Sequence, residues 1–365
     1  MLRDSHPSPP VSGEHRPQID GLRFVAFLGI FLLHCNSARF PAGELGVPLF
    51  FALSGFLITR ILLRNETDSP GRNLGTFYVR RILRIFPLYY AVLIALLACG
   101  QLEQPWYSFA HVYNFCIYAN SAFIGRSGHF WTLAVEEQFY LIFPLILLAT
   151  PARRRAAMLV GLLVACGASR LVLEWAAPSR YTFVLTNVAA EYLVAGAIAG
   201  YLDVVRPGIA GSGPRLSCAL ALSGFAALWS SGLRFGVPWL APILPEVTAL
   251  AFATLIWELW RCKGPLAKAL GVRPLAYLGK ISYGLYVLHV YAMHQVYDIA
   301  GNREWLPARL RLFVALGLSI VAAMASWHLF ESPILALKSR FPYDRTTSRA
   351  RPTAAEPHPV HPLPA

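Results

Sequence analysis

"GHFWTLAVEEQFYLIFPLILLA", residues 128–149, is long and apolar enough to cross a bilayer, yet it carries two adjacent carboxylates, Glu136 and Glu137. A spanning helix needs about 20 predominantly apolar residues. An ionisable group at membrane depth is costly and is kept where it has a partner or a task. The segment raises two questions: whether the rest of the chain is built the same way, and which basic group answers the acids.

Composition settles the first. The chain has 365 residues, of which 56% are hydrophobic and 14% charged, with a mean hydropathy of +0.49. Soluble domains carry about 25% charged residues. Apolar runs recur at 22–39, 46–63, 82–100, 130–150, 156–176, 182–203, 216–233, 239–260, 275–298 and 311–333. The expectation is an all-α polytopic membrane protein of about ten transmembrane helices. The stretch 105–124 is aromatic but studded with His111, Asn114, Asn120 and Ser121, and reads as an interfacial or re-entrant loop.

The net charge of +13 invites a nucleic-acid reading, but its distribution excludes one. The basic residues gather at the ends of apolar runs, as the positive-inside bias requires. Ten spans place Arg60, Arg64, Arg80, Arg81, Arg84, the Arg153–Arg155 triplet, Arg261 and Lys338 on one side, with both termini cytoplasmic. An eleventh span at 105–124 would put the triplet outside.

Residues 1–18 and 336–365 are polar and Pro-rich and read as disordered tails flanking a membrane-embedded domain at 19–335; residues 1–18 lack the apolar core of a secretory signal. The six cysteines are scattered without a CxxC pair, so neither a metal site nor a disulfide framework is expected. The location expected from these features is the cell inner (plasma) membrane.

The second question leads to the first span, "IDGLRFVAFLGIFLLHCNSA", residues 19–38. His34 follows Arg23 by eleven residues, a rise of roughly 16 Å along a helix. Span 130–150 enters from the outer side, which brings Glu136 and Glu137 to a comparable depth. A carboxylate beside an imidazole fixes its tautomer and raises its basicity, as a general base needs. The plainer alternative is a structural His–Glu pair, and periodicity does not choose between the two acids.

Three further features fit a polar route. In "FYVRRILRIFPLYY", residues 77–90, Arg80, Arg81 and Arg84 gather at the inner boundary, where Arg80 and Arg84 share a face and make a fork for phosphate oxygens. Anchoring of topology is the alternative. Ser54 and Gly55 open a close approach in span two, for packing or for a channel. "LGKISYGLYVLHVYAMH", residues 278–294, places Lys280, Ser282, Tyr283 and His289 on a helix too polar for lipid, which suits a cavity wall. Phosphate-grade arginines with a base about 15 Å deeper accommodate a long thin substrate such as acyl-CoA. A transporter of a small molecule or lipid-linked sugar is the alternative, although no internal repeat supports it.

With these residues in hand, the chain resembles the acyltransferase family 3 membrane proteins. Arg23 and His34 match an Arg-x10-His motif, and "GVPLFFALSGFLIT" is similar to the family's Ser-Gly-Phe motif. Arg81 and Arg84 match Arg-x-x-Arg. "HFWTLAVEEQFYLIFPL" resembles Trp-Ser-Leu-x-x-Glu-x-x-Phe-Tyr, with Thr132 in place of Ser. "ISYGLYVLH" resembles a Ser-Tyr-Gly-x-Tyr motif, and "FESP" a closing Glu-x-Pro. The resemblance implies that His34 is the essential base or acyl carrier, that Arg23 supports it, and that Glu136 is the family glutamate. It further implies acyl-CoA, first of all acetyl-CoA, as donor, with the arginines and Lys280 holding it, and a hydroxyl of an extracytoplasmic or lipid-linked carbohydrate as acceptor. Without a fused SGNH-like domain the chain reads as the stand-alone type. It would then deliver the acyl group itself or pass it to a separate periplasmic transfer partner. O-antigen, exopolysaccharide, peptidoglycan sugars and macrolides all offer such a hydroxyl.

Overall fold

The computed structural model describes residues 15–36, 39–66, 70–206, 244–261, 263–300 and 307–343. The expected span at 216–233, Cys218 and Cys262, and most of both tails lie outside the described residues. The longer helices are α1 (Pro17–Cys35), α2 (Gly46–Arg64), α3 (Pro70–Ala98), α6 (Trp131–Ala149), α7 (Arg155–Ala176) and α8 (Thr186–Val205). They are followed by α9 (Leu244–Arg261), α12 (Ser282–Ala300) and α13 (Ala308–Ser326). The short helices are α4 (Pro105–Phe109), α5 (Tyr113–Asn120), α10 (Pro265–Leu270), α11 (Arg273–Lys280) and α14 (Ser332–Ala336).

Among the described residues, seven helices are long and apolar enough to cross a membrane: 17–35, 41–64, 71–98, 128–149, 152–176, 186–205 and 309–340. The fold is an all-α polytopic membrane protein, but ten spans are not reached on this test. The expected span at 275–298 is broken at Ile281 into the eight-residue α11 and the longer α12. The reason is local packing. α11 lies against α1 so closely that a Cβ on Gly279 would come within 1.7 Å of the Asp20 carbonyl oxygen. The stretch 105–124 forms α4 and α5, joined through His111 in the left-handed region at φ +53°, and neither helix has the length of a span.

The centre of the bundle is the crossing of α2 and α8, which has almost no side-chain thickness. A Cβ on Gly55 would sit 1.8 Å from the Leu193 carbonyl oxygen, and one on Gly196 would sit 2.0 Å from that of Ala52. Gly196 and Gly200 form the small-xxx-small spacing that lets helix backbones touch where lipid offers no hydrophobic drive. Gly55, expected as a channel residue, is therefore a packing residue.

Several buried charges in the bundle are paired. Asp203 on α8 pairs with the buried Arg60 of α2 and receives Arg261 Nε of α9 at 2.6 Å. Arg170 of α7 meets Glu191 of α8 at 3.5 Å and also pairs with Glu246 of α9. Breaking one member of such a buried set costs more than the set contributes.

A candidate acyl-transfer site

A cavity of about 100 Å³ opens among α1, α2, α3, α6 and α12. Its wall carries three guanidinium groups, from Arg23, Arg81 and Arg84, and the carboxylate of Glu136. Each is held in place. Arg81 lies 5.1 Å from the ring centre of Tyr140, and Arg84 lies 5.6 Å from that of Tyr283 and 5.7 Å from that of Trp327. Cation–π stacking of this kind leaves the guanidinium edges able to donate to an anion. Arg23 approaches Asp20, one turn earlier on α1, at 3.7 Å.

Arg84 also faces Glu331 at 3.9 Å. Glu331 closes a π turn, Trp327–Glu331, that follows α13, and it accepts from Ser326 Oγ at 3.0 Å. The wider turn changes which residues face the bundle. A Cβ on Gly284 would stand 2.8 Å from Glu331 Oε1, so the glycine of "SYGLY" makes room for this carboxylate. Glu331 belongs to the "FESP" motif but was not singled out for a role from sequence.

The opening question is answered here. Glu136 accepts a hydrogen bond from Ser54 Oγ at 2.6 Å and sits among the arginines. The expected pairing of Glu136 with His34 is not the one formed. The His34 ring meets His289, with Nδ1 of His34 2.8 Å from Nε2 of His289. A helix rises only 1.5 Å per residue. Because α6 places Thr132 level with Tyr286, Glu136 falls one turn further towards the arginines. His34 is exposed at the end of α1, whereas His289 is fully buried against the rings of Phe27 and Phe31.

Tyr286 joins the two regions. It lines the cavity; its hydroxyl lies 2.6 Å from Thr132 Oγ1 and donates to the His129 carbonyl at 2.7 Å, and its own carbonyl lies 2.7 Å from His289 Nδ1. His129 packs edge-on to His289 with ring centres 5.4 Å apart. Neither Tyr286 nor His129 was singled out from sequence. Tyr286 could have been, as the last residue of the Ser-Tyr-Gly-x-Tyr motif, three residues before His289.

The remaining expected site residues divide. Ser54, Ser282 and Tyr283 line the cavity, and Tyr283 donates to the Ile85 carbonyl at 2.6 Å. Glu137 is not among the lining residues, and its Oε1 is buried without a hydrogen-bond partner. Arg80 points elsewhere: its Nη1 donates to the carbonyls of Lys338 and Phe341 at 3.0 and 2.9 Å, holding the chain after α14 against α3. Lys280 is exposed and lies 5.0 Å from the Trp327 ring centre. The basic residues lining the cavity are therefore Arg23, Arg81 and Arg84, without Arg80 or Lys280. No group of His, Cys, Asp and Glu arranged to hold a metal ion occurs among the described residues.

The described residues thus form a cavity carrying three guanidinium groups and one carboxylate, with the His34–His289 pair beyond the contacts of Tyr286. A family model described as an acyltransferase domain matches residues 16–328, and the chain belongs to that family, the acyltransferase family 3 that its motifs resemble. Among relatives, it is 27% identical over 367 residues to the peptidoglycan O-acetyltransferase OatA of Listeria monocytogenes, covering 88% of this chain and 56% of the relative. It is 28% identical over 364 residues to the Bacillus subtilis protein YrhL, covering 87% of this chain and 54% of that protein. The chain thus spans about half the length of these curated relatives. No solved structure matches it.

Proposed function

We propose that the protein transfers an acyl group, acetyl first of all, from cytoplasmic acyl-CoA to a hydroxyl of an extracytoplasmic or lipid-linked carbohydrate, across the inner membrane. The observation that carries this reading is the cavity in which Arg23, Arg81 and Arg84 converge, with His34 about 16 Å along α1 from Arg23. Three guanidinium groups with one carboxylate among them suit the phosphates of a CoA head group. The peptidoglycan O-acetyltransferase relative supports a cell-wall sugar as the acceptor class.

In the reaction so read, the acceptor hydroxyl gives its proton to a ring nitrogen of His34, and its oxygen attacks the thioester carbonyl. The tetrahedral centre collapses, the C–S bond breaks, and the CoA thiolate leaves with a proton returned from the imidazolium. In a two-step variant, His34 attacks the thioester itself and passes the acyl group on from nitrogen. Glu136 serves the arginine side in either case. It balances the guanidinium charge and, with Ser54, fixes the cavity wall. Delivery is completed by this chain or by a separate periplasmic transfer partner.

The test is CoA release from acetyl-CoA by membranes carrying the wild type or His34→Ala, with cell-wall glycan as acceptor. Release with labelled glycan in the wild type, absent in the variant, is expected. Equal release from both would overturn the role of His34, and no transfer with acetyl- or longer acyl-CoA would overturn the donor.

A further inference from the structure

The geometry points to His289 as a positioning residue that fixes which nitrogen of His34 reacts. The Tyr286 carbonyl oxygen can only accept, and it lies 2.7 Å from His289 Nδ1. His289 Nδ1 therefore carries a hydrogen. A neutral imidazole has one N–H, so Nε2 of His289 is a bare acceptor. That acceptor lies 2.8 Å from His34 Nδ1, which must then be the donor. His34 is left with its hydrogen on Nδ1 and an open lone pair on Nε2.

The surroundings favour this single state. His289 is fully buried beside the rings of Phe27 and Phe31, where a neutral ring fits and a charged one is costly. The partner of Tyr286 is fixed too, because its hydroxyl is tied to Thr132 and to the His129 carbonyl. The chain of contacts thus runs from the cavity wall through two backbone-anchored groups to the exposed imidazole. It performs with a second histidine what a carboxylate does for many catalytic histidines. When a hydroxyl proton moves to Nε2 of His34, the Nδ1–H bond to His289 strengthens as the ring becomes positive, and no atom needs to move.

This inference rests on the proposed role of His34, so its test reads the tautomer directly. In full-length protein labelled with ¹⁵N-histidine and held in detergent, ¹⁵N–¹H correlation reports the protonated nitrogen, and His34→Ala identifies the His34 signals. The expected result is His34 protonated at Nδ1 and bare at Nε2. His34 protonated at Nε2 would overturn the assignment whether or not the protein transfers acyl groups.

The kinetic arm compares His289→Leu with His289→Gln, since a glutamine amide oxygen can take the place of Nε2 as acceptor. His289→Leu should lower kcat about 100-fold, the scale of a general-base contribution, with KM for acyl-CoA within about 3-fold. His289→Gln should recover most of that loss and restore the Nδ1–H tautomer. A folded His289→Gln variant with a mixed tautomer would overturn the relay. If the leucine variant fails to fold, the glutamine variant against wild type decides alone. Loss of CoA release in the wild type, with the tautomer as expected, would remove the proposed function and leave the pairing standing.

Discussion

Ser54 on α2 gives its hydroxyl hydrogen to Glu136 on α6 across 2.6 Å, and both side chains line the cavity together with Arg23, Arg81 and Arg84. This bond joins a residue expected to line a channel to one expected to assist a histidine 102 positions earlier in the chain. It places Glu136 with the arginines rather than with the histidine.

Its consequence is testable. Glu136→Gln keeps the acceptor oxygen for Ser54 but removes the charge facing three guanidinium groups. It should impair turnover by about 10-fold or more, on the scale of a lost charge-assisted hydrogen bond of about 1.5–3 kcal/mol. Ser54→Ala should cost less, since the carboxylate keeps its arginines. Steady-state kinetics on both variants checks this order, and the reverse order would show that Ser54 holds the wall.

The arginines separate into two groups that sequence alone did not divide. Arg84→Ala should raise KM for acyl-CoA more than it lowers kcat, because a head-group contact persists through the reaction. Arg80→Ala and Lys280→Ala should leave KM within about 2-fold, a margin set by surface-level electrostatics. Titration of initial rates against acyl-CoA for the three variants decides it. An Arg80→Ala defect in KM equal to that of Arg84→Ala would return Arg80 to the site.

At the crossing of α2 and α8, a side chain on Gly196 meets backbone rather than a flexible neighbour. Gly196→Val should therefore separate the helices and cost several kcal/mol, in the range of severe overpacking, about 1–3 kcal/mol or more. Gly71→Val, at a glycine with open space around it, serves as the control. Thermal denaturation in detergent should show a fall in Tm for the first and near-identity for the second.

His111, in the connection between α4 and α5, provides a pH probe. Its ring is buried against Tyr89 and Phe86, both ring nitrogens lack partners, and burial pushes its pKa down to about 4 from 6.5. The unfolded chain thus binds a proton more readily than the folded one between these values. Stability is fully present above pH 6.5 and declines as pH falls towards 4, by up to about 3 kcal/mol from this group. His111→Asn, which tolerates the left-handed backbone, should flatten the dependence of Tm on pH in that window. An unchanged slope would assign the acid lability elsewhere.

Much of this was legible in the sequence because bilayers simplify the code. Apolar runs gave the all-α class, and His34, Glu136, Arg81 and Arg84 stood out as polar residues in apolar company. What stayed hidden depends on rotation about helix axes and on approach between helices. Arg80 and Arg84 share a face in an ideal helix, yet Arg80 is drawn off by the carbonyls of Lys338 and Phe341, more than 250 residues away. His289 was visible as a polar residue on a cavity helix, but its partnership with His34 spans 255 positions and is set by tertiary packing. The break at Ile281 was hidden because α11 and α12 together have the length of one span.

The knot of Tyr286, Thr132 and the His129 carbonyl has a bioenergetic consequence. A continuous wet path from an arginine cluster to an exposed imidazole would be a proton leak in any membrane that stores energy as a gradient. Two hydrogen bonds of 2.6 and 2.7 Å, made by one phenol, occupy the donors and acceptors that a water wire would need. The same tyrosine that anchors the histidine pair thus stands between the arginine cluster and the imidazole, where such a path would have to run.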